Sequence, residues 1–388
     1  MSIQLQYVIL LFAIFVLSRV LIRFRIPTAI TSFAIGVLCT EYAFFSSDQT
    51  IELLAMFGIV SLFLLAGLEA DLKSFKHETA VIVQHLVISV LGLFGMAYVV
   101  YQLEWLDFRV AILVLLAILT PSTGFILDSL DSLKMDESEK FWIKMKAIAT
   151  EIVALVVLFV VLQSNSLPKL AQSTGILLAM IVGLPILFRI FAKWVLPYAP
   201  KSEFAFLLII ATVCAYITKK LGVYYLVGAF VVGLAAQRYS RHLPSIASDN
   251  LMHGVEFFTS FFVPFYFFYA GLNVQKGDFT QNATILGGIF LLVFVPLRAV
   301  QIFLHRKIAM DEPMAQSLRI GVTMTPTLVF TLVIANILRD RFDVHPAIFG
   351  GLILYAIFNT LIPSFLFHAP PPEFESHQLE KLDYFDID

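Results

Sequence analysis

Thirteen long apolar stretches run along the chain, with charged and polar residues gathered in the short connections between them. They cover roughly 4–23, 27–46, 51–69, 79–102, 110–129, 141–163, 172–196, 203–220, 222–237, 255–272, 283–304, 316–338 and 346–367. A helix needs about 20 apolar residues to cross a bilayer, and these segments are of that order. The pattern predicts an all-α polytopic membrane protein with about 13 transmembrane helices. Only Lys219, Lys220, Leu221 and Gly222 separate the eighth segment from the ninth, so that division is the least marked.

Two segments are interrupted. The fifth carries Thr120-Pro121-Ser122-Thr123-Gly124 at its midpoint, and the twelfth carries Met324-Thr325-Pro326-Thr327. Proline removes an amide donor and clashes with the preceding turn, so each helix breaks or kinks there. In hydrocarbon the freed backbone groups need partners, so such a break belongs where it lines a cavity or lies buried in protein. The segments before the breaks also match. Gly67-Leu68-Glu69-Ala70-Asp71-Leu72 closes the third span, and Gly271-Leu272-Asn273-Val274-Gln275-Lys276 closes the tenth. The separation between these stretches differs by a single residue from that between the two Thr-Pro breaks. Phe33–Leu38 in the second span resembles Phe230–Ala235 in the ninth at a slightly different separation. Each pair lies an odd number of spans apart, which places its members in opposite orientations. The expectation is a pair of inverted repeats, about 27–163 and 222–367, each with a broken helix in the matching position.

Composition adds that 59% of residues are hydrophobic, 14% are charged and 38 are Phe, which suits contact with membrane lipids. The net charge of −2 and the lack of a basic run argue against nucleic acid as a partner. Cys39 and Cys214 are too few and too scattered for a disulfide framework or a metal site, and nothing calls for a cofactor. The N-terminus has no basic region ahead of its first apolar run, so that run is expected to remain as a span. Most of the 26 Lys and Arg fall in alternate loops, with Lys144, Lys146, Arg306 and Lys307 counted among them. That bias puts the N-terminus outside and the C-terminus in the cytoplasm. Residues 1–368 read as one transmembrane domain, and the acidic tail 369–388 reads as disordered.

The candidate chemistry centres on Glu151, near the middle of the sixth span. A carboxylate there costs ~3 kcal/mol on insertion scales and by default marks a proton or ion path. The structural alternative is an ion pair with Arg298 or Lys146. Arg298 is a candidate for balancing half-helix dipoles or the acid in the core; its alternative is snorkelling to the cytoplasmic interface. Thr120 and Thr325 flank the broken-helix prolines Pro121 and Pro326 and are candidates for the proton and cation site, because exposed helix ends carry partial charge. Glu69 and Asp71 form either a solvated helix end or a cytoplasmic funnel for cations. Asp128 and Asp131 would suit a metal-binding pair of an intramembrane transferase, but no second acidic cluster accompanies them, so the chain does not read as an enzyme. The aromatic run Phe257–Tyr269 reads as lipid-facing or packing surface, and His85 as a hydrogen-bonded structural residue.

The chain resembles the transmembrane part of the monovalent cation:proton antiporter-2 family, which includes sodium–proton and potassium-efflux exchangers. Arg25-Ile26-Pro27, the run from Phe57-Gly58-Ile59-Val60 to Gly67–Leu72, the Thr-Pro break, Glu151 and Arg298 carry the resemblance. It covers essentially residues 1–368. It implies a homodimer in the cell membrane, the inner membrane of a bacterium, and a sodium/proton antiporter-like fold whose core domain is built on two broken crossed helices and moves like an elevator. Spans 3–5, 6 and 10–12 would form that core, spans 1, 2, 8 and 9 would face the partner, and span 7, the linker helix at 172–196, would link the halves. The implied function is secondary active antiport of Na+ or K+ against H+ by alternating access, with both ions competing at Glu151. The runners-up are a symporter of an organic anion on the same fold and a transport-inactive membrane sensor. Many relatives carry a pair of polar or acidic residues where this chain has Thr150-Glu151. Thr150 is neutral and does not titrate, so the expectation is one-for-one, electroneutral exchange. Members with a soluble nucleotide-binding domain after the membrane part differ from this chain, which makes regulation by that route unexpected.

Overall fold

The apolar segments form helices in the computed structural model, which describes residues 3–45, 47–70, 79–130, 133, 135–164, 166–239 and 249–367. The first segment gives α1 (Ile3–Phe12) and α2 (Ser18–Ile22), joined by a π-helical turn. The following segments give α3 (Thr28–Glu41), α4 (Gln49–Leu68) and α5 (Thr79–Gln102). The fifth splits into α6 (Phe108–Leu119) and α7 (Thr123–Leu130). Then come α8 (Glu137–Gln163), α9 (Leu167–Ile190), α10 (Glu203–Lys220), α11 (Tyr225–Tyr239), α12 (Asp249–Leu272) and α13 (Gln281–Met310). The twelfth segment splits into α14 (Met314–Thr323) and α15 (Leu328–Phe342), and α16 (Pro346–Leu366) closes the fold. Every predicted span thus falls on one helix or one broken pair. Among the described residues, nine helices are long and apolar enough to span a membrane, and α14 with α15 add a span bent by 41°. The tail lies outside the described residues.

Local chemistry sets the helix starts. The Asp48 carboxylate accepts from the Ile51 N–H at 2.9 Å to begin α4. At α8, Asp136 and Glu139 exchange hydrogen bonds, the Glu139 N–H donating at 2.7 Å and the Asp136 N–H at 3.1 Å. This reciprocal cap satisfies two otherwise free amides. It starts the helix before residue 141, and Lys144 and Lys146 lie well inside α8, not in the preceding loop. Arg306 and Lys307 likewise lie inside α13, which ends at the left-handed Asp311, φ 49°. Of these four loop-assigned cations, Lys146 and Arg306 are fully buried.

The helices sort into two groups by their glycine faces. A Cβ on Gly36 would lie 3.0 Å from the Cα of Gly271, and a Cβ on Gly67 would lie 2.9 Å from the Cα of Gly233. Both would also strike a carbonyl oxygen of the facing helix, Phe268 O at 2.2 Å and Phe230 O at 2.4 Å. Only glycine admits these backbone contacts, which bind α3 to α12 and α4 to α11. A Cβ on Gly58 would likewise meet the Phe262 carbonyl of α12 at 2.4 Å. The third and tenth spans therefore pack with α3, α10 and α11, and not chiefly with the broken helices as expected. The second group comprises α5, α6, α7, α8, α13, α14, α15 and α16; α16, which the sequence left unassigned, packs on α13 and α15. In the aromatic run, Phe265, Phe267 and Phe268 are buried packing residues while Phe257 is exposed.

Candidate functional site

Each break leaves helix ends that must find partners inside the protein. At the first, α6 ends at Leu119, and Thr120 turns to an extended conformation whose N–H still donates to Leu116 O at 3.1 Å. The chain re-enters a helix at Thr123. At the second, Thr325 keeps one last turn, its N–H and hydroxyl both donating to Val322 O, at 3.0 and 2.8 Å.

The two breaks cross and bond to each other. The Ser122 N–H donates to Pro326 O at 2.8 Å. The Ser122 hydroxyl oxygen accepts from the Val329 N–H at 2.9 Å and the Phe330 N–H at 3.3 Å, capping the start of α15. Thr331 donates its hydroxyl to Ala117 O at 2.7 Å. Arg298 caps the carbonyl end of the second break: Nη1 reaches Thr325 O at 2.5 Å and Nη2 reaches Met324 O at 2.8 Å. Nη1 also donates to the Tyr355 hydroxyl at 3.2 Å, and that hydroxyl donates to Ile118 O of α6 at 3.0 Å. Asn359 completes the crossing, its Nδ2 donating to the Thr327 hydroxyl at 3.0 Å. Ser122, Tyr355, Asn359 and Thr331 were not singled out as site residues from sequence. Only Ser122, inside the Thr-Pro-Ser-Thr-Gly stretch, carried a local signal.

Glu151 lies beside this crossing and is only 2% exposed. It lines a narrow cavity with Ser122, Thr123, Gly124, Val329, Phe330 and residues Leu62, Phe63 and Ala66 of α4. Its Oε2 has no hydrogen-bond partner among the described residues. The amide ends of α7 and α15 both abut this cavity, where their partial positive charge favours an anion. Gly124 lets α7 approach α4, since a Cβ there would lie 2.6 Å from a Leu62 methyl. A carboxylate with one unpartnered oxygen, beside the Thr123 hydroxyl, offers hard oxygen ligands to a small cation or a seat for a proton.

The other sequence candidates lie around this cavity rather than in it. Thr150 points to a second cavity, lined also by His85, Ser89, Pro121, Arg298, Gln301 and Met324. Its hydroxyl donates to Lys146 O at 2.8 Å and lies 3.2 Å from His85 Nε2. Thr120 and Thr325 are buried at the breaks, and so are Pro121 and Pro326. Arg298 and Lys146 form no ion pair with Glu151: the first holds carbonyls, and the second lies 3.1 Å from His305 Nδ1. Glu69, at the end of α4, is 3.4 Å from Lys144 of α8. Asp71 and Asp131 lie outside the described residues.

A family model, sodium/hydrogen exchanger, transmembrane, matches residues 8–369. The chain belongs to the sodium/hydrogen exchanger family. It is 25% identical over 375 residues to the probable Na+/H+ antiporter 3 of Methanocaldococcus jannaschii, covering 92% of this chain and 93% of that relative. Cation/H+ antiporter 18 of Arabidopsis thaliana is 25% identical over 345 residues, which span 81% of this chain but 41% of the plant protein. The fold matches the structure of the sodium proton antiporter MjNhaP1 from Methanocaldococcus jannaschii at pH 8, with a TM-score of 0.69. That match has 15% identity and covers 95% of this chain and 97% of the other. The exchanger thus has the sodium/proton antiporter fold and is a multi-pass membrane protein of a transporter family.

Proposed function

We propose that this exchanger carries a monovalent cation, Na+ or K+, in one direction and H+ in the other, with both competing for the Glu151 carboxylate. The observation that carries this reading is the unpartnered Glu151 oxygen, buried where α4 meets the broken-helix group. An anion such as an organic acid would meet a carboxylate there and be repelled, which disfavours the symporter. Thr123 supplies a neighbouring oxygen; Ser122, Thr120 and Thr325 shape the crossing behind it, and Thr150 turns to the second cavity. Arg298 compensates the carbonyl end of α14 and thereby keeps the acid cavity free of a fixed cation.

Alternating access follows if the broken-helix group slides against the glycine-packed group, as the cavity lies between them. On the side of the even-numbered loops the two groups are tied together. Gln163 donates to Leu221 O at 3.0 Å, Arg341 to Gly222 O at 2.5 Å and Arg339 to Asn273 O at 3.0 Å. The loop charge bias makes that side external, so this arrangement is the one closed to the outside. Glu69, beside Lys144 toward the cytoplasmic end, is placed to draw cations inward. The exchanged glycine contacts, Gly36 with Gly271 and Gly233 with Gly67, support inverted repeats over about 27–163 and 222–367, with α9 as the linker. The same reading places the protein in the inner membrane of a bacterium, among its lipids and as a homodimer, with the C-terminus in the cytoplasm.

The test is exchange in reconstituted vesicles carrying a pH gradient. External sodium, potassium and lithium are added in turn while the internal pH is read with a dye. Proton movement upon addition of at least one of them is expected. No response to any would overturn the reading.

A further inference from the structure

The turn between α10 and α11, in the glycine-packed group, is gripped by both helices that carry the acid cavity on the other side. Gln163 is the last residue of α8, roughly 18 Å along that helix from Glu151. Its Nε2 donates to Leu221 O at 3.0 Å. Arg341 lies near the end of α15, whose first turn lines the cavity with Val329 and Phe330. It donates to the next carbonyl of the same turn, Gly222 O, at 2.5 Å.

The surroundings are shaped to this grip. Gln163 is buried, and its Oε1 accepts from the Ser173 hydroxyl of α9 at 3.0 Å, which fixes the direction of the amide. Gly222 has a φ of 81°, in the left-handed region that favours glycine. A Cβ there would lie 3.4 Å from Arg341 Nη1 and 3.6 Å from Gln163 Nε2, so the residue sits between the two donors. Arg109 of α6 donates to Val161 O of α8 and lies over the Phe342 ring of α15 at 5.5 Å. The outer ends of α6, α8 and α15 are thereby joined, and a hold on one is a hold on all three.

The two faces of the membrane differ in how the groups are tied. Toward the cytoplasm, α8 meets α4 through the Lys144–Glu69 ion pair at 3.4 Å, whose lysine side chain is 41% exposed. Exposed pairs of this kind contribute little and are screened by salt. A buried amide and a guanidinium on fixed carbonyls are less sensitive to salt, and neither changes its protonation near neutral pH.

We propose that the Leu221–Gly222 turn is an external latch, and that Gln163 and Arg341 are positioning residues whose grip on it sets the ratio of inward-facing to outward-facing exchanger. The inference rests on the alternating-access reading above. Sliding of the broken-helix group must release both bonds before the cavity opens outward. An ion that binds only one facing state has its apparent affinity reduced by the fraction of protein in that state. The latch therefore weakens the apparent affinity on the external face relative to the cytoplasmic face, for cation and proton alike.

The experiment measures cation–proton exchange by the full chain in right-side-out and inverted membrane vesicles, with equal pH on both faces. The cation KM is thus read from each side. The ratio of external to cytoplasmic KM is expected to fall several-fold in Gln163→Leu, less in Arg341→Leu, and by about tenfold or more in the double variant. Gly222→Ala, which crowds both donors from the other partner, should move the ratio the same way, and Arg341→Lys should stay closer to wild type than Arg341→Leu. Arg341 is exposed, so its variants report on the latch even where a change at the buried Gln163 impairs folding. A ratio that none of the variants moves, with or without loss of rate, makes the turn a structural joint and overturns the latch alone. A ratio that rises overturns it as well. Absence of exchange by wild type with any cation instead overturns the transport reading, and this inference with it.

Discussion

The two broken helices reach the same crossing from opposite directions, yet their ends are satisfied differently. The α14–α15 break is closed by protein groups at both ends: Arg298 holds its carbonyls and Ser122 accepts from its amides. At the α6–α7 break, Tyr355 and Thr331 serve the carbonyls Ile118 O and Ala117 O. Its amide end, at Thr123, faces the Glu151 carboxylate across the cavity, and one oxygen of that carboxylate has no partner among the described residues. One break is thus held by a fixed positive charge and the other is left to a group that can change its own. The asymmetry identifies the end that is free to take an exchangeable ion.

Removing the variable charge should produce the largest effect. Glu151→Gln is expected to abolish exchange in vesicles while leaving membrane insertion intact, since an amide carries neither the proton nor the charge. Glu151→Asp should retain part of the activity with a changed cation affinity. Robust exchange by the glutamine variant would move the site elsewhere.

Next comes the fixed charge. Arg298→Met strips donors from two buried carbonyls, which costs about 1–3 kcal/mol for each group left unpaired. We expect a lower melting temperature in detergent and an exchange rate reduced by more than about tenfold. Arg298→Lys should recover part of both, because it restores the charge without the planar fork. Equal losses in the lysine and methionine variants would show that geometry, not charge, compensates the α14 end.

How much of this was legible in the sequence differs between the two breaks as well. The Thr-Pro stretches and Glu151 stand out because proline and a mid-span acid are locally anomalous in an apolar run. Tyr355 and Asn359 do not stand out, since a tyrosine and an asparagine near the centre of α16 gain meaning only from the helix they face. The glycines of the third and tenth spans were visible as a repeated motif. Their partners on α11 and α3 were not, and so these spans were assigned to the wrong packing group. Lys146 was counted with the loop charges although it lies inside the sixth apolar stretch, 141–163, because its burial depends on its contact with His305 of α13, which the sequence does not show.

A smaller effect is expected at the serine that joins the breaks. Ser122→Ala leaves the Val329 and Phe330 amides without their acceptor, freeing them to compete for the carboxylate. The cation KM should rise several-fold with little change in maximal rate, and Ser122→Thr should restore it. An unchanged KM would make Ser122 a purely structural link. Smallest are Pro121→Ala and Pro326→Ala, each expected to lower exchange modestly, because the crossing bonds hold both helices open without the rings. Wild-type rates in both would make these prolines ordinary kinks.

Competition for Glu151 is tested most directly by the cation dependence of exchange at a series of pH values on the cation side. Protons that occupy the same carboxylate must be displaced by the cation, so lowering the pH should raise the cation KM while saturating cation restores the same maximal rate. A maximal rate that falls with acidity while KM stays fixed would show that proton and cation do not share the carboxylate, and would contradict the account.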